Sequence, residues 1–156
     1  MSFEAKISDP AVFAQRASVL ARPLVFTNGV FDIIHRGHVT YLAGARALGA
    51  SLVVALNSDA SARRLGKGDD RPINTLADRM AVIAALEAVA LVTWFDEDTP
   101  LARILECRPE HLVKGGDWPA DKIVGAKEVR SWGGKVHSIA FEHDRSTTKL
   151  LSKIRA

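Results

Sequence analysis

Five short apolar runs, each followed by a segment of helical spacing, constrain the fold of this chain more than any other feature. Ser51-Leu-Val-Val-Ala-Leu56 is apolar without interruption, as expected of a strand covered on both faces. Leu24 to Thr27, Val89 to Phe95, His111 to Lys114 and Lys135 to Phe141 share that strand character. Between the runs the pattern turns helical. Ser8-Asp9-Pro10 offers a cap and a first-turn proline, with Val12, Phe13, Ala17 and Leu20 following at helical spacing. A second helix is expected from Gly37 to the break at Gly49, and a short one after Asn57-Ser58-Asp59, ending near Leu65. Further helices are expected over Thr75 to Ala88, from Asp98-Thr99-Pro100 to about Cys107, and over Ala120 to Trp132. Ser146 caps a last helix with Leu150, Leu151 and Ile154 on its apolar side.

Strands alternating with helices predict an α/β fold. The expected form is a Rossmann-like three-layer sandwich, an about five-stranded parallel sheet with helices on both faces. The 156 residues suit one domain spanning 1–156, with residues 1–22 as a helical extension outside the core pattern that could pack against a partner subunit. There is no repeat, low-complexity tract or linker. In such folds ligands bind beyond the carboxyl ends of the strands, at a topological switch point. The residues least like core fall there. They are Thr27-Asn28-Gly29, Asn57-Ser58-Asp59, Lys114-Gly115-Gly116-Asp117 and, after the fifth strand, Ser146-Thr147-Thr148.

Composition narrows the ligand. Net charge is +3, from 21 basic and 18 acidic residues, and aromatics are 6%. That is too mild for a nucleic-acid surface and compatible with a small anion. No apolar run nears the ~20 residues of a membrane span, and the stretch MSFEAKISDP, without a charged start and apolar block, leads us to expect no signal peptide. One cysteine, Cys107, excludes an internal disulfide and a thiolate zinc cluster, so a reducing cytoplasm is expected.

Phe26 to Leu42, "FTNGVFDIIHRGHVTYL", raises the sharpest question. His35 and His38 are three apart at a helix start and share a face. As metal ligands they lack a third and fourth partner, since His111, His137 and His143 are scattered. As core residues they would need only hydrogen-bond partners. As phosphate ligands they would add donors to the helix's N–H groups and dipole, with Gly37 allowing close approach.

Asn28-Gly29-x-Phe31-Asp32-x-x-His35-x-Gly37-His38 resembles the signature of the HxGH nucleotidyltransferases, the cytidylyltransferase-like superfamily. Within it, "NSDASARRLGKGDDRPINTLADRMAVIAALEAV", "VTWFDEDTP", "LVKGGDW" and "RSTTKLL" are similar to free-standing domains that adenylate heptose 1-phosphate, from about Val25 to Ile154. The resemblance implies an enzyme joining a nucleoside triphosphate to a phosphorylated sugar or alcohol with release of pyrophosphate. Its partners would be ATP and a sugar 1-phosphate, with Mg²⁺ bound mainly through the ATP phosphates and no protein metal site. It further implies a bacterial, cytoplasmic homodimer feeding lipopolysaccharide core synthesis, with no nucleic-acid or membrane partner.

By the same resemblance His35, His38 and Lys67 are the catalytic positions. Thr27, Asn28, Gly29, Phe31, Gly37, Lys114, Gly115, Asp117, Ser146, Thr147 and Thr148 would bind the nucleotide. Asp32, Asp59, Arg71 and Arg79 would bind the acceptor or its phosphate. Trp118 fits either over a base or in the core. Asp144-Arg145 stands where many relatives have a glycine, which offers Arg145 as a further phosphate contact. Other acceptors such as glycerol 3-phosphate or a pantetheine phosphate, CTP in place of ATP, and a non-catalytic nucleotide-binding module remain open.

Overall fold

The structure, a computed structural model, describes residues 2–141 and 146–156. Its sheet is parallel throughout. The strands β1 (Leu24–Gly29), β2 (Ser51–Asn57), β3 (Leu91–Phe95), β4 (His111–Gly115) and β5 (Lys135–Ile139) lie in the order β3-β2-β1-β4-β5. The helices are α1 (Pro10–Ser18), α2 (Arg36–Arg46), α3 (Asp59–Arg64), α4 (Leu76–Ala84), α5 (Leu101–Cys107), α6 (Ala126–Ser131) and α7 (Thr147–Arg155).

The period of two along each strand divides the core. Leu24, Phe26, Val53, Ala55, Leu91 and Leu112 face one layer, where Phe13 of α1, Ile104 of α5 and Val129 of α6 cover them. Val25, Leu52, Val54, Leu56, Val92 and Val113 face the other, under Leu42 of α2 and Ile83 of α4. Strand order reverses at β1. The β1–β2 ladder runs six pairs, from Leu24 opposite Ser51 to Gly29 opposite Leu56. The β1–β4 ladder has two, Val25 with His111 and Phe26 with Leu112. β1 and β4 therefore part toward their carboxyl ends, where this fold class holds ligands. Tyr41 of α2 fills the gap, bonded to the Thr27 hydroxyl on β1 and to the Val113 carbonyl on β4.

Several expectations change. The helix expected over Ala120 to Trp132 is a 3-10 turn (Ala120–Lys122) followed by α6. Gly125 separates them at φ +88°, where a Cβ would meet Ile104 Cδ1 at 2.7 Å. α4 stops at Ala84, and a turn closed by Val89 N–H to the Leu86 carbonyl leads into β3. Ile154 is 76% exposed, and Leu151 carries the α7 contact instead. The N-terminal segment belongs to this chain's own core: Phe13 is fully buried, and Ile7 bridges Val92 on the outer edge of β3. His111 and His137, far apart in sequence, meet across β4 and β5 with Nδ1 2.9 Å from Nε2. Among the described residues no group of three metal-ligating side chains forms.

Candidate active site

A cavity of about 330 Å³ opens where β1 and β4 diverge. A second, of about 270 Å³, adjoins it toward β2 and β3. Asn28, Gly29, Val30, Lys67, Lys114 and Trp118 line both, so the two are lobes of one cleft with a shared wall.

His35 and His38 line the first lobe at the start of α2. His35 is the N-cap, and its Nδ1 accepts the Gly37 N–H at 3.1 Å. His38 Nδ1 accepts the His35 N–H at 3.4 Å, and the His38 N–H goes to the His35 carbonyl. The Gly37 and His38 N–H groups are thus spent within the turn, which leaves the imidazole rings as the side-chain donors at this helix start. A ring whose Nδ1 accepts must carry its proton on Nε2 when neutral. Each imidazole therefore offers an Nε2–H donor. The rings lie 3.9 Å apart between centroids. Burial first, then the neighbouring His35 and Lys67, push His38 down to about 4. His38 is neutral at pH 7. Phe31, held at φ +50°, sets its ring edge against His38 at 5.4 Å between centroids.

Asp32 is buried at the edge of this lobe with its carboxylate already engaged. It accepts from Arg71 Nε at 2.9 Å and from the N–H groups of Ile73 and Asn74 at 2.8 and 2.9 Å. Burial alone would raise its carboxyl, but these N–H groups and Arg71 hold it below the usual range. This latch moors the segment after Lys67, and it places Arg71 in the lobe lining. Next to Arg71 in the same loop, Asp70 pairs with Arg155 of α7. Lys114 sits on the shared wall, its ammonium pushed down by burial and then by Lys67. Ser146, Thr147 and Thr148 line the first lobe. Ser146 caps α7 by accepting the Lys149 N–H, and the Thr147 hydroxyl donates to the Ile33 carbonyl, which ties α7 to the approach of α2.

Five expected positions stand outside the lining. Thr27 is fully buried under Tyr41, and Gly37 is buried within α2. Asp117 is exposed beyond the lobe lining. Arg79 is corrected outright, because its side chain is wholly buried. Its Nε donates to the Asn74 carbonyl, its Nη1 to the carbonyls of Val30 and Asn57, and its Nη2 to Asp59 at 2.6 Å. Arg79 and Asp59 therefore brace the exits of β1 and β2. Arg145 and His143 lie outside the described residues. Sequence reasoning missed Tyr41 and Phe141 and left Trp118 open between a base and the core; its ring is in fact half in water, at 52% exposed. The signal available was position: each is an aromatic residue in a segment that the strand order brings to the rim.

Residues 26–154 match the sequence model of the family described as cytidylyltransferase-like. The chain belongs to this family. It is 58% identical over 155 residues to a D-beta-D-heptose 1-phosphate adenylyltransferase of Bordetella bronchiseptica, covering 98% of this chain and 96% of that one. It is 57% identical over 132 residues to the bifunctional protein HldE of Cronobacter sakazakii, covering 85% of this chain but 28% of that protein. A lipopolysaccharide core biosynthesis protein from Thermoplasma volcanium superposes with TM-score 0.62 at 30% identity, over 78% of this chain and 98% of that one. A pantoate-beta-alanine ligase from Francisella tularensis, at 12% identity and TM-score 0.59 over 91% of this chain and 68% of that one, shares the fold.

Proposed function

We propose that this family member transfers AMP from ATP to D-glycero-β-D-manno-heptose 1-phosphate, giving ADP-heptose and pyrophosphate for lipopolysaccharide core synthesis. The observation that carries the reading is the pair of imidazoles, each locked by its Nδ1 contact into offering Nε2–H, in the lobe that meets the Lys67–Lys114 wall. The Bordetella relative, named for this reaction, supports the choice of acceptor.

The triphosphate takes the first lobe, with its α-phosphorus at the shared wall. The sugar phosphate takes the second lobe, where Asn57, Asp98 and Thr99 suit hydroxyls and Lys122 suits its phosphate. An oxygen of the sugar phosphate attacks the α-phosphorus in line, the α–β bridging P–O bond breaks, and pyrophosphate leaves. His35 and His38 donate to the non-bridging oxygens as their charge grows. Lys67 and Lys114 keep two anionic substrates together. No covalent enzyme intermediate is required, and Cys107 is buried with its thiol pushed up to about 12.

The donor set suits a cation carried in on the nucleotide. Asp32, the carboxylate in the first lobe, is spent on Arg71, Ile73 and Asn74. Mg²⁺ held by phosphates and water would neutralise their charge when bound. We place the enzyme in the cytoplasm, where ATP is made, as a homodimer. No helix among the described residues is long and apolar enough to cross a membrane.

The test is pyrophosphate release with Mg²⁺ and D-glycero-β-D-manno-heptose 1-phosphate, comparing ATP with CTP. Release with ATP alone is expected. Release with CTP alone overturns the base assignment. Silence with both, from folded protein that binds ATP, overturns the acceptor.

A further inference from the structure

Trp118 is a large apolar side chain left half in water at the wall between the two lobes. The backbone turn that carries it is nonetheless pinned. The Trp118 N–H donates to Ser138 Oγ at 3.2 Å, and the same hydroxyl donates to the Gly116 carbonyl. One serine on β5 thus pins both ends of the turn that carries the ring. The Lys114 ammonium lies 5.6 Å from the indole centroid, a cation–π contact on one side.

The opposite aromatic is Phe141, 45% exposed beyond the end of β5. A methyl group placed on Gly116, which sits at φ +98°, would meet Trp118 Nε1 at 3.5 Å and Phe141 Cε2 at 3.9 Å. The two rims converge on one point above that glycine. On Gly115 a Cβ would strike Phe141 Cζ at 2.8 Å, so a side chain there would displace the ring. Tyr41 backs Phe141 with centroids 5.7 Å apart. Two exposed rings, one held by a serine clasp and one by a buried tyrosine, flank a glycine floor in the lobe assigned to the triphosphate. Exposed apolar area of this kind has no packing role, and every nucleobase offers a flat face to stack on it.

We propose that Trp118 and Phe141 form a preformed aromatic slot for the nucleobase and are specificity-determining residues favouring a purine over a pyrimidine. This rests on the adenylyltransferase reading for the identity of the nucleotide. The slot discriminates by stacking area, because a bicyclic base covers more of the indole than a monocyclic one. Ser138 is a positioning residue that holds the indole over Gly116.

The test is equilibrium binding without acceptor. Calorimetry compares wild type, Trp118→Ala and Trp118→Phe with α,β-methylene-ATP, α,β-methylene-CTP and inorganic tripolyphosphate, which has no base. Loss of one stacking partner is expected to weaken the ATP analogue about tenfold or more in Trp118→Ala. Trp118→Phe should retain most of the affinity. Tripolyphosphate should bind all three proteins alike, and the preference for the ATP analogue over the CTP analogue should shrink in Trp118→Ala. Ser138→Ala should weaken the ATP analogue while leaving tripolyphosphate unchanged. An equal loss for tripolyphosphate overturns the proposal, since the ring would then only support the phosphate loops. Unchanged affinity for the ATP analogue in Trp118→Ala overturns it too. These readings involve no sugar phosphate, so failure of the acceptor assignment leaves them intact.

Discussion

His35 performs two tasks with different atoms. Its Nδ1 caps α2 through the Gly37 N–H, and its ring lines the first lobe, where the neutral tautomer offers Nε2–H. A single truncation would confuse the tasks, but two substitutions part them. His35→Asn keeps a side-chain acceptor suited to an N-cap and loses the distal donor. It should unfold in urea close to wild type while turnover falls by about two to three orders of magnitude, the usual cost of a donor to developing oxyanion charge. His35→Ala should show the same loss of turnover plus about 1 kcal/mol of stability, the cost of the cap. Pyrophosphate release and urea midpoints on both variants check this. Turnover retained in His35→Asn would leave the histidine a structural cap. The pair was legible in the sequence because both members sit in one turn of chain. Which nitrogen each offers was not, because that depends on backbone geometry set by the positive φ of Phe31 and on N–H groups that the turn uses internally.

At the scale of elements, α4 enters the molecule by pushing a guanidinium under the exits of β1 and β2. Sequence spacing marks Arg79 as one residue of a helix. It cannot show that the segment before α4, tied at Asn74 to the Asp32 carbonyl, caps the guanidinium and that the Val30 and Asn57 carbonyls turn inward. The phosphate role assigned by resemblance therefore gives way to a bracing role. Arg79→Ala would strand those carbonyls and the Asp59 carboxylate. We expect a loss of about 3–5 kcal/mol, the range for breaking a buried charged contact from one side. Asp59→Asn should cost much less, since that side chain is one-third exposed and the amide can still accept. Urea denaturation of both variants measures the difference. An Arg79→Ala protein as stable as wild type, with raised KM for the sugar phosphate, would restore the ligand role. The strands were far easier to read than this brace. A strand buried on both faces is apolar along its whole length, whereas one buried arginine leaves no periodic trace.

For the whole molecule, the sequence pattern put residues 1–22 outside the core, as an extension that could pack against a partner subunit. The structure makes them one side of the domain. Ile7 and the Ser8 N–H cover the edge of β3 at Val92, Lys6 reaches the Leu86 carbonyl, and α1 lies on α5 with Phe13 fully buried. An uncovered parallel edge strand would present unpaired N–H and carbonyl groups, which invite association. The site lies away from this segment: no α1 residue lines either lobe. Stability and catalysis should then separate. Phe13→Ala should lose about 3–5 kcal/mol, the range for emptying a buried phenyl site, yet turn over normally per folded molecule well below its melting temperature. Removing residues 1–21 should go further and give protein that aggregates through β3. Denaturation midpoints, light scattering and pyrophosphate release on the two proteins decide it. A truncated chain that stays monodisperse and melts like the full one would make the segment an appendage, and the first-face core would have to close without it.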